Sequence, residues 1–291
     1  MKKLLMAIAA AAMLLTVTNC TREDKEPATV KASLTIKTDT IEEVVIRFDV
    51  PMTMNQQSMT RGTLSESQMT DLWLFDFMGE ELKQTIHQQS TDDGFGSVAV
   101  TAETGDHQFC FVASRGTNAT VTDGEITWEK PSDTFWHKVA MTVTPQTATA
   151  QSVELQRVAT RLRISITDEV PATLSKLSIT ADTWHCGIDA LTGNPTAATE
   201  RQTTINVPAS YIGTTGSLVA SIFGLCANDY TTNVSVTALD ANNQTIAAVS
   251  LQDVPLSRNT TTTYSGPLFT RQPTFTMSVN DVWSDDIEMN W

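Results

Sequence analysis

Ser152–Ile166, SVELQRVATRLRISI, is the stretch that decides how the rest of the chain is read. Apolar residues alternate with polar ones at its start, and the alternation changes phase at Gln156. Beyond that point apolar positions recur at every second residue, which is the period of a β-strand with one buried face. Ala159, Arg161 and Arg163 are predicted to face solvent. The phase change indicates a β-bulge or a change of sheet.

Nearly every other periodic segment also has a period of two. Leu72–Phe77 is apolar on both faces, as expected of a central strand that is covered on each side. Asp240–Asn243 separates two alternating runs and predicts a hairpin turn. Pro131–Val139 is the one candidate for a short helix, with Ser132 or Asp133 as its cap. Many short strands with polar turns predict an all-β protein built of β-sandwiches.

The chain divides into four parts. Residues 1–20 have the pattern of a signal peptide, with Lys2 and Lys3 before an apolar run that is too short to remain across a bilayer. Residues 21–29 are polar and form a tether. Residues 30–156 and 157–291 are predicted to form an N-terminal and a C-terminal β-sandwich domain.

Cys20 stands at the expected end of the signal peptide, which predicts a lipoprotein signal and a lipid anchor on this residue. Asn19 departs from the small residue that is preferred before a lipidated cysteine. Cleavage nearby, with Cys20 removed or inert, therefore stays open as the alternative.

Charge and residue pattern exclude several classes of function. Residues 1–20 contain two lysines and no acidic residue, so the formal net charge of −14 becomes −16 without them. This acidic surface repels phosphate backbones and makes nucleic acid an improbable partner. The sequence contains no HExxH, GxSxG, GxxxxGK[ST] or GxGxxG motif, and its histidines are scattered singly. We predict no enzyme activity, no cofactor and no metal site.

Two other sequence features bear on function. Cys110 lies in an apolar run and is predicted to be buried and inert. Six tryptophans allow a second hypothesis, a surface lipoprotein that binds glycan through exposed aromatic rings. Trp128 and Trp136 are the candidates for that role.

The order of several segments resembles that of the fimbrillins, the subunits and anchor proteins of fimbriae in Bacteroidales. After the lipoprotein signal, the segments that carry the resemblance are Thr60-Arg61-Gly62, Met69–Phe77, Gln108–Ala113, Val153–Leu162, Leu256–Thr260 and Trp283. Together they cover nearly the whole chain beyond the signal peptide.

The resemblance implies two transthyretin-like β-sandwich domains, exported as a lipoprotein to the cell outer membrane and exposed at the surface. It also implies other fimbrial subunits as partners, with no nucleic acid involved. In polymerising members of that family a protease cuts after an arginine and frees the first strand. The groove that remains accepts a strand from the next subunit, which is a form of β-augmentation.

Carried over to this sequence, the resemblance makes Val30, Leu34 and Ile36 the candidate displaced strand. Phe275, Met277 and Val279 are the candidate donor strand.

The loop Thr38–Glu42, between the strands predicted at residues 30–36 and 44–50, contains no arginine. The candidate processing sites are therefore Arg61 and Arg47. A cut at either would release more than one strand and would detach a lipid at Cys20. An uncut anchor therefore remains an alternative to a stalk or tip subunit.

Overall fold

The structure, a computed structural model, describes residues 42–54, 67–147, 150–270 and 273–280, without the side chains of residues 53, 54, 67 and 68. Apart from one 3-10 turn at Ala209–Tyr211, the regular elements of these residues are all strands, which confirms the predicted all-β class. Within them no helix is long and apolar enough to cross a membrane. The signal peptide, the tether and the strand predicted at residues 30–36 lie outside the described residues.

The first ten strands in chain order are β1 (Glu43–Asp49), β2 (Thr53–Met54), β3 (Ser67–Gln68), β4 (Asp71–Met78), β5 (Glu81–Gln89), β6 (Ser97–Glu103), β7 (Gly105–Ser114), β8 (Thr117–Thr122), β9 (Glu125–Lys130) and β10 (Thr134–Val143). The other ten are β11 (Ala150–Ser152), β12 (Gln156–Arg157), β13 (Ala159–Ile166), β14 (Lys176–Asp189), β15 (Pro195–Asn206), β16 (Leu218–Leu225), β17 (Tyr230–Leu239), β18 (Thr245–Leu256), β19 (Thr261–Gly266) and β20 (Thr276–Asn280).

The first sandwich packs a three-stranded sheet, in the order β11-β1-β6, against a five-stranded sheet, in the order β12-β10-β7-β4-β5. Strand β1 is central in the smaller sheet, where it runs parallel to β11 and antiparallel to β6. Alternate residues of β1, Ile46 and Phe48, are fully buried. They pack with Leu72, Leu74, Phe109 and Phe111 of the larger sheet in one core.

The second sandwich packs a four-stranded sheet, in the order β16-β13-β19-β20, against a six-stranded sheet. The order in the larger sheet is β18-β17-β14-β9-β8, and β15 pairs with the other side of β14. The core between the sheets contains Leu162, Ile164, Ile179 and Trp184. The predicted hairpin turn is confirmed between β17 and β18, where Asp240 Oδ1 accepts hydrogen bonds from two backbone amides.

Strand β4 is buried on both faces, as its sequence predicts. One face contributes to the core of the first sandwich, and the other places Trp73, Phe75 and Phe77 against Ile126 and Trp128 of β9. Strand β9 pairs with β14, so the β8–β9 hairpin belongs to a sheet of the second sandwich although it precedes residue 156. The division of the chain at residues 156 and 157 stays a prediction.

The phase change in the opening stretch is a change of sheet. Strands β11, β12 and β13 follow one another closely and belong to three different sheets. The expectation that Ala159 and Arg161 face solvent is wrong: both are buried. Ala159 packs against Phe223, and Arg161 Nε donates to Thr261 Oγ1 at 3.1 Å. The outer face of β13 is therefore covered at this end, while Arg163 is half-buried.

Arg157 joins two of the sequence segments that carry the resemblance, Val153–Leu162 and Leu256–Thr260. Its guanidinium makes a bidentate contact with the buried Asp133, at 2.7 and 3.0 Å, and lies 4.7 Å above the Phe135 ring. Nη1 also donates to Asn259 Oδ1 at 3.1 Å, and Arg258 Nε donates to the Arg157 carbonyl. Residues 153–162 and 256–260 thus meet at one hydrogen-bonded junction.

The predicted helix at Pro131–Val139 is wrong. Thr134–Val143 is strand β10, and it pairs with β7 along its whole length. Aromatic and β-branched residues such as Phe135 and Val139 suit a sheet, and pairing with a long central strand outweighs a local capping signal.

Candidate assembly surface

Strand β20 lies at the edge of the four-stranded sheet. It pairs antiparallel with β19 on one side, and no other strand of the described residues pairs with its other side. All five of its residues are exposed, including Met277 and Val279, which are each 50% exposed. An edge strand presents a row of backbone donors and acceptors that can pair with another chain.

The apolar side chains of β20 lie on the side of its sheet that faces the core. Met277 is paired with Tyr264 and Val279 with Thr262, and both partners are buried. Directly opposed residues of antiparallel strands project from the same face. Phe275, two residues before Met277, is partly buried against the core. One apolar row thus begins at the core and continues into an uncovered strand.

Strand β1 has an incomplete partner on one side. Its parallel pairing with β11 covers only Arg47–Asp49, whereas its pairing with β6 extends from Glu43 to Asp49. Among the described residues, the first half of β1 therefore has no strand on the β11 side. A shallow groove is present there, lined by Glu42, Val45 and Pro145 among others, and Val45 is 58% exposed.

Of the residues predicted to act in assembly, the structure describes four. Met277 and Val279 lie in β20 and Phe275 directly precedes it, so a strand is present at this position, while its role as a donor stays a prediction. Arg47 is exposed in the middle of β1, paired with Ala99 on one side and with Ala150 on the other. Cys20, Arg61, Val30, Leu34 and Ile36 lie outside the described residues.

The aromatic candidates for glycan binding are not exposed platforms. Trp128 is 1% exposed, and its ring packs against Gly116. Trp136 is half-buried: its Nε1 donates to the Ala190 carbonyl at 2.8 Å, and its ring lies beneath Gly193. The expectation of exposed rings is therefore wrong, because both rings face neighbouring strands and turns.

The buried thiols are not arranged for chemistry. Cys110, Cys186 and Cys226 are free and buried, which confirms the expectation for Cys110. Burial raises the pKa of Cys110 to about 12 and that of Cys226 to about 11. Among the described residues, no group of three or more His, Cys, Asp or Glu side chains could hold a metal ion.

Two histidine–aspartate pairs on neighbouring strands differ in burial. His107 Nδ1 lies 2.6 Å from Asp76 Oδ1, and both side chains are 1% exposed. His87 Nε2 lies 2.8 Å from Asp71 Oδ1 at the surface, with the His87 ring stacked on Trp73. The sequences of β4 and β7 carry no signal for the buried pair, because Asp76 and His107 are distant along the chain.

Comparison with known families matches residues 114–291 to one described as "Family of unknown function (DUF6562)". No curated protein matches the chain.

Several solved structures are similar to this chain. A candidate polysaccharide-binding protein (DUF1812) from Bacteroides thetaiotaomicron has a TM-score of 0.53 at 10% identity, covering 82% of this chain and 96% of that chain. A candidate adhesin from Bacteroides ovatus has a TM-score of 0.50 at 6% identity, covering 81% and 88%. A fimbrial assembly protein from Parabacteroides distasonis has a TM-score of 0.45 at 10% identity, covering 82% and 99%. At these identities the likeness concerns the fold alone.

Proposed function

We propose that this chain, which belongs to the DUF6562 family, is a structural subunit or anchor of a cell-surface fimbria. It assembles with other fimbrial subunits by β-strand exchange and supports adhesion. A lipid on Cys20 attaches it to the outer membrane. The fold that it shares with a candidate adhesin from Bacteroides ovatus supports this role.

The observation that carries the proposal is the exposed edge strand β20. Among the described residues β20 is paired on one side only, and its Met277 and Val279 are half exposed, so the strand presents an open edge and uncovered apolar surface. Adding it to the sheet of a neighbouring subunit pairs the backbone and buries both side chains. We assign it the role of donor strand.

The donor strand and strand β1, whose position is its proposed seat, both have apolar residues at every second position. In β1, Val44, Ile46 and Phe48 face the core at every second residue. The segment from Phe275 to Val279 has the same spacing, with polar residues between. A strand that replaced β1 between β6 and β11 would therefore place three apolar side chains in the core. This agreement in spacing supports our assignment of the β1 position as the seat for an incoming strand.

Proteolysis opens that seat in a polymerising subunit. A cut at Arg61 would release β1 together with the candidate displaced strand of Val30, Leu34 and Ile36. Arg47 is paired on both sides, so a protease reaches it only after β1 has separated from its neighbours. An uncut chain keeps its lipid and acts as an anchor, donating β20 to the next subunit.

The test uses the full chain with Cys20→Ser, treated with a trypsin-like protease and analysed on SDS gels without boiling. We expect SDS-resistant ladders from this chain. Met277→Lys/Val279→Lys should reduce the ladders at least about tenfold, because two charged side chains would have to enter the core of the next subunit.

Thr276→Lys/Ser278→Lys is the matched control, since it adds the same charge on the opposite face of β20. Equal ladders from both double variants, or no ladder from the parent chain with any trypsin-like protease, would contradict strand exchange by a polymerising subunit. An anchor is recognised by mass spectrometry of the native N-terminus, which should show lipid on residue 20 and no trimming at an arginine.

A further inference from the structure

Strand β6 is also an edge strand, at the other side of the three-stranded sheet from β11. Its sequence, SVAVTAE, alternates small or apolar residues with polar ones, and Val98 and Val100 enter the core of the first sandwich. Within the described residues, no strand pairs with its outer side. By its sequence and its position, β6 is as suited to strand addition as β20.

The outward-facing backbone groups of β6 follow from its pairing with β1. In an antiparallel ladder the N–H and C=O of one residue point to the same side, and the side alternates along the strand. Thr104 N donates to Glu42 O and Val50 N donates to Gly96 O, so even-numbered residues here face β1. Four carbonyls of β6 therefore face outward, where an added strand would bind: that of Ala99, and those of Ser97, Thr101 and Glu103.

Side chains of the five-stranded sheet already donate hydrogen bonds to the carbonyls of Ser97, Thr101 and Glu103. Gln88 Nε2 donates to Ser97 O at 3.0 Å, and Gln84 Nε2 donates to Thr101 O at 2.8 Å. His107 Nε2 donates to Glu103 O at 2.9 Å. The three donors come from β5 and β7, so their side chains extend across the open side of the sandwich from one sheet to the other.

Further contacts fix the donors in place. Gln88 Oε1 accepts from Gly96 N at 3.0 Å, which makes Gln88 a two-point contact. The buried Asp76 holds His107 through Nδ1, and its other oxygen accepts from Gln84 Nε2 at 3.3 Å. Ile86, between the two glutamines on the same face of β5, packs against the core. The side chains of Gln84, Gln88 and His107 are therefore held in position by these further contacts.

We infer that Gln84, Gln88 and His107 lock the outer edge of β6 and exclude it as a site of strand addition. For assembly, where this inference rests on the proposed function, the lock directs an incoming strand to the β1 position. The lock prevents edge-to-edge pairing of two copies because three of the four outward carbonyls of β6 already accept side-chain hydrogen bonds.

The test removes the two glutamine amides and keeps side-chain length with Gln84→Met/Gln88→Met, in the full chain with Cys20→Ser and without protease. Sedimentation velocity should show self-association at least about tenfold stronger than in the parent chain. A nitroxide label on Ala99→Cys, an exposed position on β6, should show spin–spin broadening in the same variant. Gln89→Ala/Gln252→Ala, at exposed glutamines outside the lock, is the control.

A folded variant that remains monomeric, or that associates without broadening at residue 99, would overturn the inference. A second measurement uses the parent chain alone, so it does not depend on how the variant folds. The side-chain amide protons of Gln84 and Gln88 should exchange with solvent at least about tenfold more slowly than those of Gln89 and Gln252. Equal rates would mean that no lock exists. Neither measurement involves ladder formation, so the lock and the proposed function can fail independently.

Discussion

The edges formed by β6 and β20 are alike in sequence and opposite in their surroundings. Both strands are short, alternate in polarity and have a strand partner on one side only among the described residues. Three side chains from the facing sheet bind the outward carbonyls of β6. No side chain of the described residues makes such a contact to the backbone of residues 276–279 in β20, and Met277 and Val279 are half exposed. Whether an edge is open therefore depends on what lies across the sandwich from it.

The largest expected effect comes from the buried pair beneath the locked edge. His107→Ala should lower the free energy of unfolding by about 3–5 kcal/mol, because the Asp76 carboxylate would remain buried without its partner. Urea unfolding followed by tryptophan fluorescence measures the change.

His87→Ala is the matched control for that experiment. It removes the exposed histidine–aspartate pair and one ring contact, so it should cost about 1 kcal/mol. Equal losses of unfolding free energy in the two variants would show that burial does not distinguish the two histidine–aspartate pairs. The β6 edge would then lack the support that we assign to His107 and Asp76.

The next effect concerns the attachment of β20. A Cβ at Gly266 would overlap the Thr274 carbonyl and would lie 2.8 Å from Phe275 Cα. Gly266→Ala should therefore displace the segment that leads into β20 and cost about 1–3 kcal/mol. We expect hydrogen exchange in residues 273–280 to accelerate while β6 is unaffected. Ser265→Ala, at the adjacent position, should leave hydrogen exchange in residues 273–280 unchanged. Exchange in Gly266→Ala as slow as in the parent chain would contradict the close approach of Gly266 to Thr274 and Phe275.

A smaller effect is expected in the unmodified protein. Peptides that cover β20 should exchange amide hydrogens at least about tenfold faster than peptides that cover β6, because an unsupported edge opens locally. Hydrogen exchange with mass spectrometry on one sample gives both rates. Similar rates would remove the contrast between the two edges.

The smallest effect is expected at the thiols, which report local opening around Cys110, between the five-stranded sheet and β9, and around Cys226. Burial keeps the pKa of Cys110 near 12 and that of Cys226 near 11, so both should resist alkylation at pH 8 until the chain unfolds. Above the ordinary pKa of 9.0 the unfolded thiols ionise and the folded ones do not. Stability should therefore fall as the pH rises from 9 toward 12.

Alkylation timed by mass spectrometry, with Cys20→Ser to remove the fourth thiol, checks this expectation. Reaction of Cys110 at pH 8 as fast as in urea would show that the packing of the five-stranded sheet against β9 opens readily. Faster reaction of Cys226 than of Cys110 would instead place the more mobile region in the second sandwich, on the side of β20.

The sequence predicted well wherever a periodic pattern and burial coincide. Leu72–Phe77 is apolar on both faces and is buried on both faces. Prediction failed where a contact distant in sequence changes a local signal. The cap-like Asp133 binds Arg157 instead of starting a helix, and Trp128 is covered by residues of other strands.

The residues of the candidate assembly surface also fall into those that the sequence predicted and those that only the tertiary structure identified. An apolar row at Phe275, Met277 and Val279 can be read from the sequence as a strand, and a strand lies there. Gln84 and Gln88 carry no such signal. A glutamine at every fourth residue of an alternating strand is equally compatible with a solvated face, and only the position of β6 gives the two amides their acceptors.

By itself the sequence determined the β-class of the chain, the phase change near Gln156 and the alternation of most strands, because these depend on side chains a few residues apart. Only the tertiary structure decided which edges are closed, that the β8–β9 hairpin joins β14, and that Arg161 and Trp128 are buried. Each of these depends on a hydrogen bond or a packed face supplied by residues distant along the chain.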